Sequence, residues 1–258
     1  MTDINISDSI KYIGVNDKTL DLFESQYKIP NGVSYNSYVI LDKKVAIMDT
    51  VDSRATDEWI ANLEKTLDGR TVDYLVISHL EPDHSANIQN LIERYPDMKL
   101  VGNKKTFDML PQFFDVDITG KTLLVAEGDE LNLGDHTLQF FMAPMVHWPE
   151  VMVSFDTKNG VLFSADAFGS FGSLDGKLFN DEVNFDRDWI DDARRYYTNI
   201  VGKYGPHVQS LLKKASGIDI KMICPLHGPV WRTNLGYFLD KYDKWSKYEP
   251  EEKGVMIV

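Results

Sequence analysis

A single cysteine, Cys224, is the whole thiol complement of this 258-residue chain, so no disulfide can close within it. Basic residues are also scarce: 27 Lys and Arg stand against 40 Asp and Glu, a formal net charge of -13. A surface of that sign repels phosphate backbones and anionic lipid headgroups, which argues against nucleic acid and membranes as partners. The first residues carry Asp3 and Asp8, with no basic cluster and no apolar run of signal-peptide length. Nowhere does the chain approach the roughly 20 consecutive apolar residues of a membrane helix. Internal repeats, low-complexity tracts and Gly-rich phosphate loops are missing too. Together these absences predict a protein of the reducing cytoplasm.

What is present suits a folded domain. Hydrophobic residues make up 43% and aromatic residues 12%, and the 26% charged share is ordinary for a globular chain. One large core is the simplest expectation. Short runs rich in Val, Ile, Tyr and Phe, bounded by Gly, Asp or Asn, predict strands at 35–41, 45–48, 74–78, 99–101, 122–125, 137–142, 151–155, 161–164 and 221–224. Asn159-Gly160 between two of them is a hairpin signal. Three- and four-residue spacing of Trp59, Ile60, Leu63 and Leu67 predicts a helix over 52–67. Similar patterns cover 86–95, 104–110, 189–214 and 235–245. This order predicts a mixed α/β (α+β) sandwich, with the loop-rich stretch 167–188 lying close to Asp166.

The densest chemistry is Ser78-His79-Leu80-Glu81-Pro82-Asp83-His84-Ser85, directly after a predicted strand. Several ionisable side chains at a strand end are costly to bury unless a cation neutralises them. Alternation along an extended turn stiffened by Pro82 aims His79, Glu81 and Asp83 into a common space, with His84 turned toward a second one. Three later residues share the setting: His147 follows the strand at 137–142, Asp166 the strand at 161–164, and His227 the strand at 221–224. Rigid strands position loop residues at such ends. The chain has six histidines, of which four fall at these ends; His136 and His207 read as solvated or merely structural.

The pattern His79-x-Glu81-x-Asp83-His84, then His147, Asp166 and His227, resembles the diiron domain of the flavodiiron proteins, members of the metallo-β-lactamase superfamily. The resemblance runs over essentially the whole chain. It includes Tyr35-Asn36-Ser37-Tyr38, His147-Trp148-Pro149, Phe163-Ser164-Ala165-Asp166-Ala167-Phe168-Gly169, Tyr196-Tyr197 and Pro225-Leu226-His227-Gly228-Pro229. It implies a metallo-β-lactamase-like αββα four-layer sandwich over 1–250. His79, Glu81 and His147 would ligate one iron, Asp83, His84 and His227 the other, and Asp166 would bridge them about 3.5–4 Å apart. Tyr196 or Tyr197 would offer a hydrogen bond to oxygen bound there. Ala86, Glu150 and Val151 depart from the family's commonest pattern around the site.

The resemblance further implies two Fe ions cycling between Fe2+ and Fe3+, with a bridging oxo, hydroxo or peroxo group, and dioxygen or nitric oxide as the ligand. Hydrolytic members of the superfamily carry histidine at the position of Glu81. A carboxylate there hardens the site toward iron, whereas zinc hydrolases favour histidine-rich sets; a dinuclear zinc hydrolase is the alternative reading. The segment 251–258 resembles the linker and first strand of a flavodoxin domain, so no flavin is expected in this chain. A diferrous pair alone carries fewer electrons than reduction of dioxygen to water takes. Two roles follow: a reductase fed by a separate flavoprotein or rubredoxin, or an oxygen and iron sensor that signals to a partner. By the same resemblance a homodimer is expected.

Overall fold

The β-branched and aromatic runs pair into two main sheets in a computed structural model that describes residues 5–255. The first sheet has the order Ile10–Tyr12, Tyr38–Leu41, Val45–Met48, Tyr74–Val76, Lys99–Gly102, Thr122–Leu124. Its first two pairings are antiparallel and the remaining three parallel. Parallel neighbours need a crossover, and the amphipathic helix Thr56–Leu67 provides one, burying Trp59, Ile60, Leu63 and Leu67. That helix stops where Asp68 turns left-handed at φ 47° ahead of Gly69. Ile88–Arg94 provides the next crossover. Val45–Met48 is buried at every position, as a strand covered on both faces must be.

The second sheet runs Glu130–Asn132, Thr137–Met142, Met152–Asp156, Val161–Phe163, Met222–Cys224. Its last pair is parallel, so a long helical excursion separates Val161–Phe163 from Met222–Cys224. The Asn159-Gly160 signal marks a real hairpin, although only Gly160 takes positive φ, at 69°. Gly205–Ala215 and Leu235–Ser246 pack on each other in the outer layer. The result is the αββα sandwich of the metallo-β-lactamase fold. Ser78, Ser164 and Pro225 follow the ends of three strands on one edge, and the loops that carry ligands leave from there.

Several sequence expectations need correction. The strand predicted over 35–41 is broken into Val33–Tyr35 and Tyr38–Leu41. Asn36 leaves the ladder to donate to the carbonyls of Pro225 and Gly228, each at 2.9 Å, and so ties down the His227 loop. The single helix expected over 189–214 is four successive segments: Ile190–Tyr196, a wide turn at Tyr197–Val201, a tight turn at Gly202–Tyr204, and Gly205–Ala215. Gly202, Gly205 and Pro206 account for the break. Of the two readings of His136, solvated or merely structural, the structural one holds. His136 is fully buried, with Asp156 Oδ1 at 2.9 Å from Nδ1 and Ser9 Oγ at 2.6 Å from Nε2, and pins the first strand to the second sheet.

Among the described residues, no helix is long and apolar enough to cross a membrane. Within the expected remnant at 251–258, residues 256–258 lie outside the described residues.

Candidate metal centre

The strand Tyr74–Val76 ends in an extended segment that brings His79 and Glu81 to the mouth of the sheet. Asp49 organises it. Its buried carboxylate accepts from the backbone amides of Ser78 at 2.7 Å and His79 at 3.3 Å. Burial pushes the Asp49 carboxyl up to about 6 despite those bonds. Alternation then fails, because Pro82 starts a one-turn helix, Pro82–Ser85. The helical turn swings Asp83 away from Glu81 and onto the side of His84. The seven predicted donors therefore divide into His79, Glu81, His147 and Asp166 on one side, and Asp83, His84 and His227 on the other. Asp83 joins the second group, contrary to its expected alternation with His79 and Glu81.

Asp166 stands between the groups. Its Oδ2 lies 3.3 Å from His79 Nε2 and 3.1 Å from His147 Nε2. Its Oδ1 lies 3.3 Å from His84 Nε2 and 3.7 Å from His227 Nε2. Within the first group, Glu81 Oε2 is 3.3 Å from His79 Nε2 and 3.1 Å from His147 Nε2. Within the second, Asp83 Oδ2 is 3.4 Å from His84 Nε2 and 3.3 Å from His227 Nε2. The backbone is left-handed at Asp49, at Met145 ahead of His147, and at Ala165 immediately before Asp166, with φ 54°, 66° and 50°. Such non-glycine conformations cost on the order of 1–3 kcal/mol each and cluster where side chains must be aimed.

All seven donors are buried. Both oxygens of Asp83, both of Asp166, both ring nitrogens of His84 and Nε2 of His227 make no hydrogen bond within the protein. Buried polar atoms are almost always satisfied, and each orphan costs on the order of 1–3 kcal/mol. A pair of cations would satisfy these together. Without cations the group holds protons instead. Burial opposes a charge on His79, His84 and His147, but the surrounding carboxylates outweigh it. They hold His79 well above the usual histidine range and push His84 and His147 up to about 9. Burial likewise opposes ionisation of Glu81 and Asp166, and the facing imidazoles win, holding both carboxyls far below the carboxylate range.

A second ring of contacts fixes the imidazoles. Glu150 Oε1 lies 2.7 Å from His79 Nδ1 and accepts from the Leu80 amide at 2.9 Å. Burial works against the Glu150 charge, but His79 and that amide keep its carboxyl below the ordinary range. The Ser34 carbonyl lies 2.7 Å from His227 Nδ1. Each contact leaves Nε2 as the nitrogen available to a metal.

Three comparisons with known proteins bear on the chain. Residues 33–228 match the ODP family beta lactamase. The chain belongs to this ODP family. An uncharacterized protein of Methanocaldococcus jannaschii is 32% identical over 98% of the chain and 63% of its own length. The anaerobic nitric oxide reductase flavorubredoxin of Vibrio vulnificus is 33% identical over 97% of the chain and 51% of its own length. Among solved structures, the flavodiiron protein of Giardia intestinalis superposes with a TM-score of 0.91 at 26% identity, over 96% of this chain and 60% of that one. The rubredoxin oxygen:oxidoreductase of Desulfovibrio gigas gives a TM-score of 0.88 at 29% identity, over 96% and 62%. The ODP chain thus spans about half to five-eighths of the length of these relatives, among them the flavodiiron protein of Giardia intestinalis.

The two tyrosines of this ODP domain separate. Tyr196 is fully buried, its ring centroid 5.5 Å from that of His227, and its hydroxyl has no hydrogen-bond partner. Burial, and then Asp166, push that phenol well above its usual range, so it stays a donor. Gly169 makes the room, since a Cβ there would stand 2.8 Å from the Tyr196 ring. Tyr197 packs instead on Tyr242 and Trp245, at 5.0 and 5.2 Å. Glu150 was visible in the sequence only as a departure from the family pattern. Its position three residues after His147 is the signal that pairs it with the site. Asp49 had a weaker signal, an acid directly after a buried strand.

Proposed function

We propose that this domain holds two iron ions, one in each donor group, and binds dioxygen or nitric oxide there. The observation that carries the reading is Asp166, which turns one carboxylate oxygen toward each pair of imidazoles. Glu81 makes the first group carboxylate-rich, a set that suits iron or manganese better than zinc. Two ferrous ions would supply electrons and open coordination positions for a diatomic gas. Everything else falls to the chain. Glu150 and the Ser34 carbonyl aim His79 and His227. Tyr196 holds a hydroxyl proton beside His227 and close to Asp166. Trp148, edge-on to His79 at 5.0 Å, and Phe113 stacked on it at 5.5 Å form an apolar wall that favours an uncharged ligand.

The names of relatives couple this domain to rubredoxin, which supports an external donor as the electron source for a reductase. The test is anaerobic reconstitution with iron, metal analysis, and optical spectra on exposure to air. Two irons per chain and a ferric charge-transfer band support the proposal. Zinc alone, bound in iron-supplemented protein that hydrolyses a lactam, thioester or phosphodiester, overturns it. Stopped-flow mixing with dioxygen then assigns the role. Sustained consumption with a flavoprotein or rubredoxin donor marks a reductase, and a long-lived coloured adduct marks a sensor.

A further inference from the structure

Over the centre folds a small hairpin, Leu22–Phe23 paired with Tyr27–Lys28. Its anchor is Phe23, buried edge-on against the His227 ring at 5.3 Å and against Phe171 at 5.4 Å. Tyr27 adds a second hold, its hydroxyl donating to the Asn199 carbonyl at 3.4 Å. The turn itself is unusual. Glu24 and Ser25 are both left-handed, φ 49° and 60°, although neither is the Asn or Gly that such a turn favours. The Gln26 amide closes it onto the Phe23 carbonyl at 3.0 Å.

This conformation delivers one group to the metal centre. The Glu24 carboxyl meets that of Glu81 within hydrogen-bond reach and feels the charge of His147, while Gln26 Nε2 steadies its Oε2 from 3.1 Å. Two carboxyls pressed together repel unless a proton or a cation lies with them. The donors around that corner are two imidazoles, Glu81 and one oxygen of Asp166. Four donors leave an ion that prefers six ligands with open positions. Glu24 is exposed at the rim, so its carboxylate can approach the ion or withdraw without disturbing the core.

We propose that Glu24 is an additional carboxylate ligand, a cap on the ion held by His79, Glu81, His147 and Asp166. The assignment rests on the two-ion reading above. The cap occupies a coordination position facing solvent, and an incoming ligand competes with it. The ion held by Asp83, His84 and His227 has no such cap, so the two ions differ in strength of binding.

Anaerobic titration of the full chain with cobalt(II) alone tests this, because d–d band intensity rises as coordination number falls. Wild type should take up two equivalents. In Glu24→Gln one equivalent should weaken about tenfold, the cost typical of losing a partner in a metal site, and its visible bands should intensify. Ser25→Gly keeps the carboxylate and relaxes the turn, so it should match wild type. Two equivalents in wild type with an unchanged affinity and spectrum in Glu24→Gln would overturn the cap and leave the two-ion reading intact. Fewer than two equivalents in wild type would overturn both.

Discussion

Replacing Glu150 by alanine tests whether the contacts behind a ligand control the ion in front of it. One Glu150 oxygen serves both His79 Nδ1 and the Leu80 amide, and the side chain is fully buried. Truncation leaves two donors facing a dry cavity. Hydrogen bonds to a charged group are worth about 1.5–3 kcal/mol each, and breaking a buried charge pair costs about 3–5 kcal/mol in all. The metal-free variant should therefore lose roughly 3–5 kcal/mol in denaturant unfolding. His79 would also be free to rotate, so the ion beside it should bind about 10–100-fold more weakly, or roughly 1.4–2.7 kcal/mol. Glu150→Gln keeps an acceptor oxygen at the same place and loses only the charge, so its cost should be about 1–2 kcal/mol. Chelator competition separates the two equivalents. Only the one held by His79 should weaken. An alanine variant that binds both ions within about threefold of wild type would refute the reasoning that Glu150 governs His79.

Metal-free protein should be most stable below pH 6.5 and lose stability as pH rises toward 9, because His84 and His147 are pushed up to about 9 in the fold. Thermal melts from pH 6 to 10, with and without metal, read this directly. For the same reason, metal uptake should release protons and tighten over that window, as calorimetry in buffers of different ionisation enthalpy would show. Asp166→Asn should reduce the capacity from two ions to one, since a neutral amide at the shared position cannot compensate both groups; an unchanged stoichiometry in metal analysis would contradict a bridge. Tyr196→Phe removes a buried hydroxyl without a partner, so stability should stay level or rise by up to about 1 kcal/mol. Azide or nitric oxide should leave its loaded centre faster, as rapid-mixing spectra would record.

The candidate donors were legible because metal chemistry restricts residue type. His79, Glu81, Asp83, His84, His147, Asp166 and His227 were all nameable from their places at strand ends, and all seven meet at one edge of the sandwich. Strands were legible for the reason that β-branched and aromatic runs bury well. The hairpin Leu22–Phe23 with Tyr27–Lys28 escaped, since two-residue strands carry no periodicity. The break after Tyr196 escaped too, because apolar spacing runs on through Gly202 while the backbone does not.

Sequence alone determined the donor set, the acidic surface and the fold class, since each depends on residue type and local pattern. Tertiary structure decided how the donors group, in the division the family resemblance implied and residue alternation alone did not. Pro82 turned Asp83 toward His84, and Asp166 came to stand between His79 and His84, each more than eighty residues before it in the chain. It also gave Tyr196 rather than Tyr197 to the centre and set Glu24 against Glu81. These outcomes depend on distances across the sandwich, and no local property of the chain encodes a distance between residues that meet only after both sheets have packed.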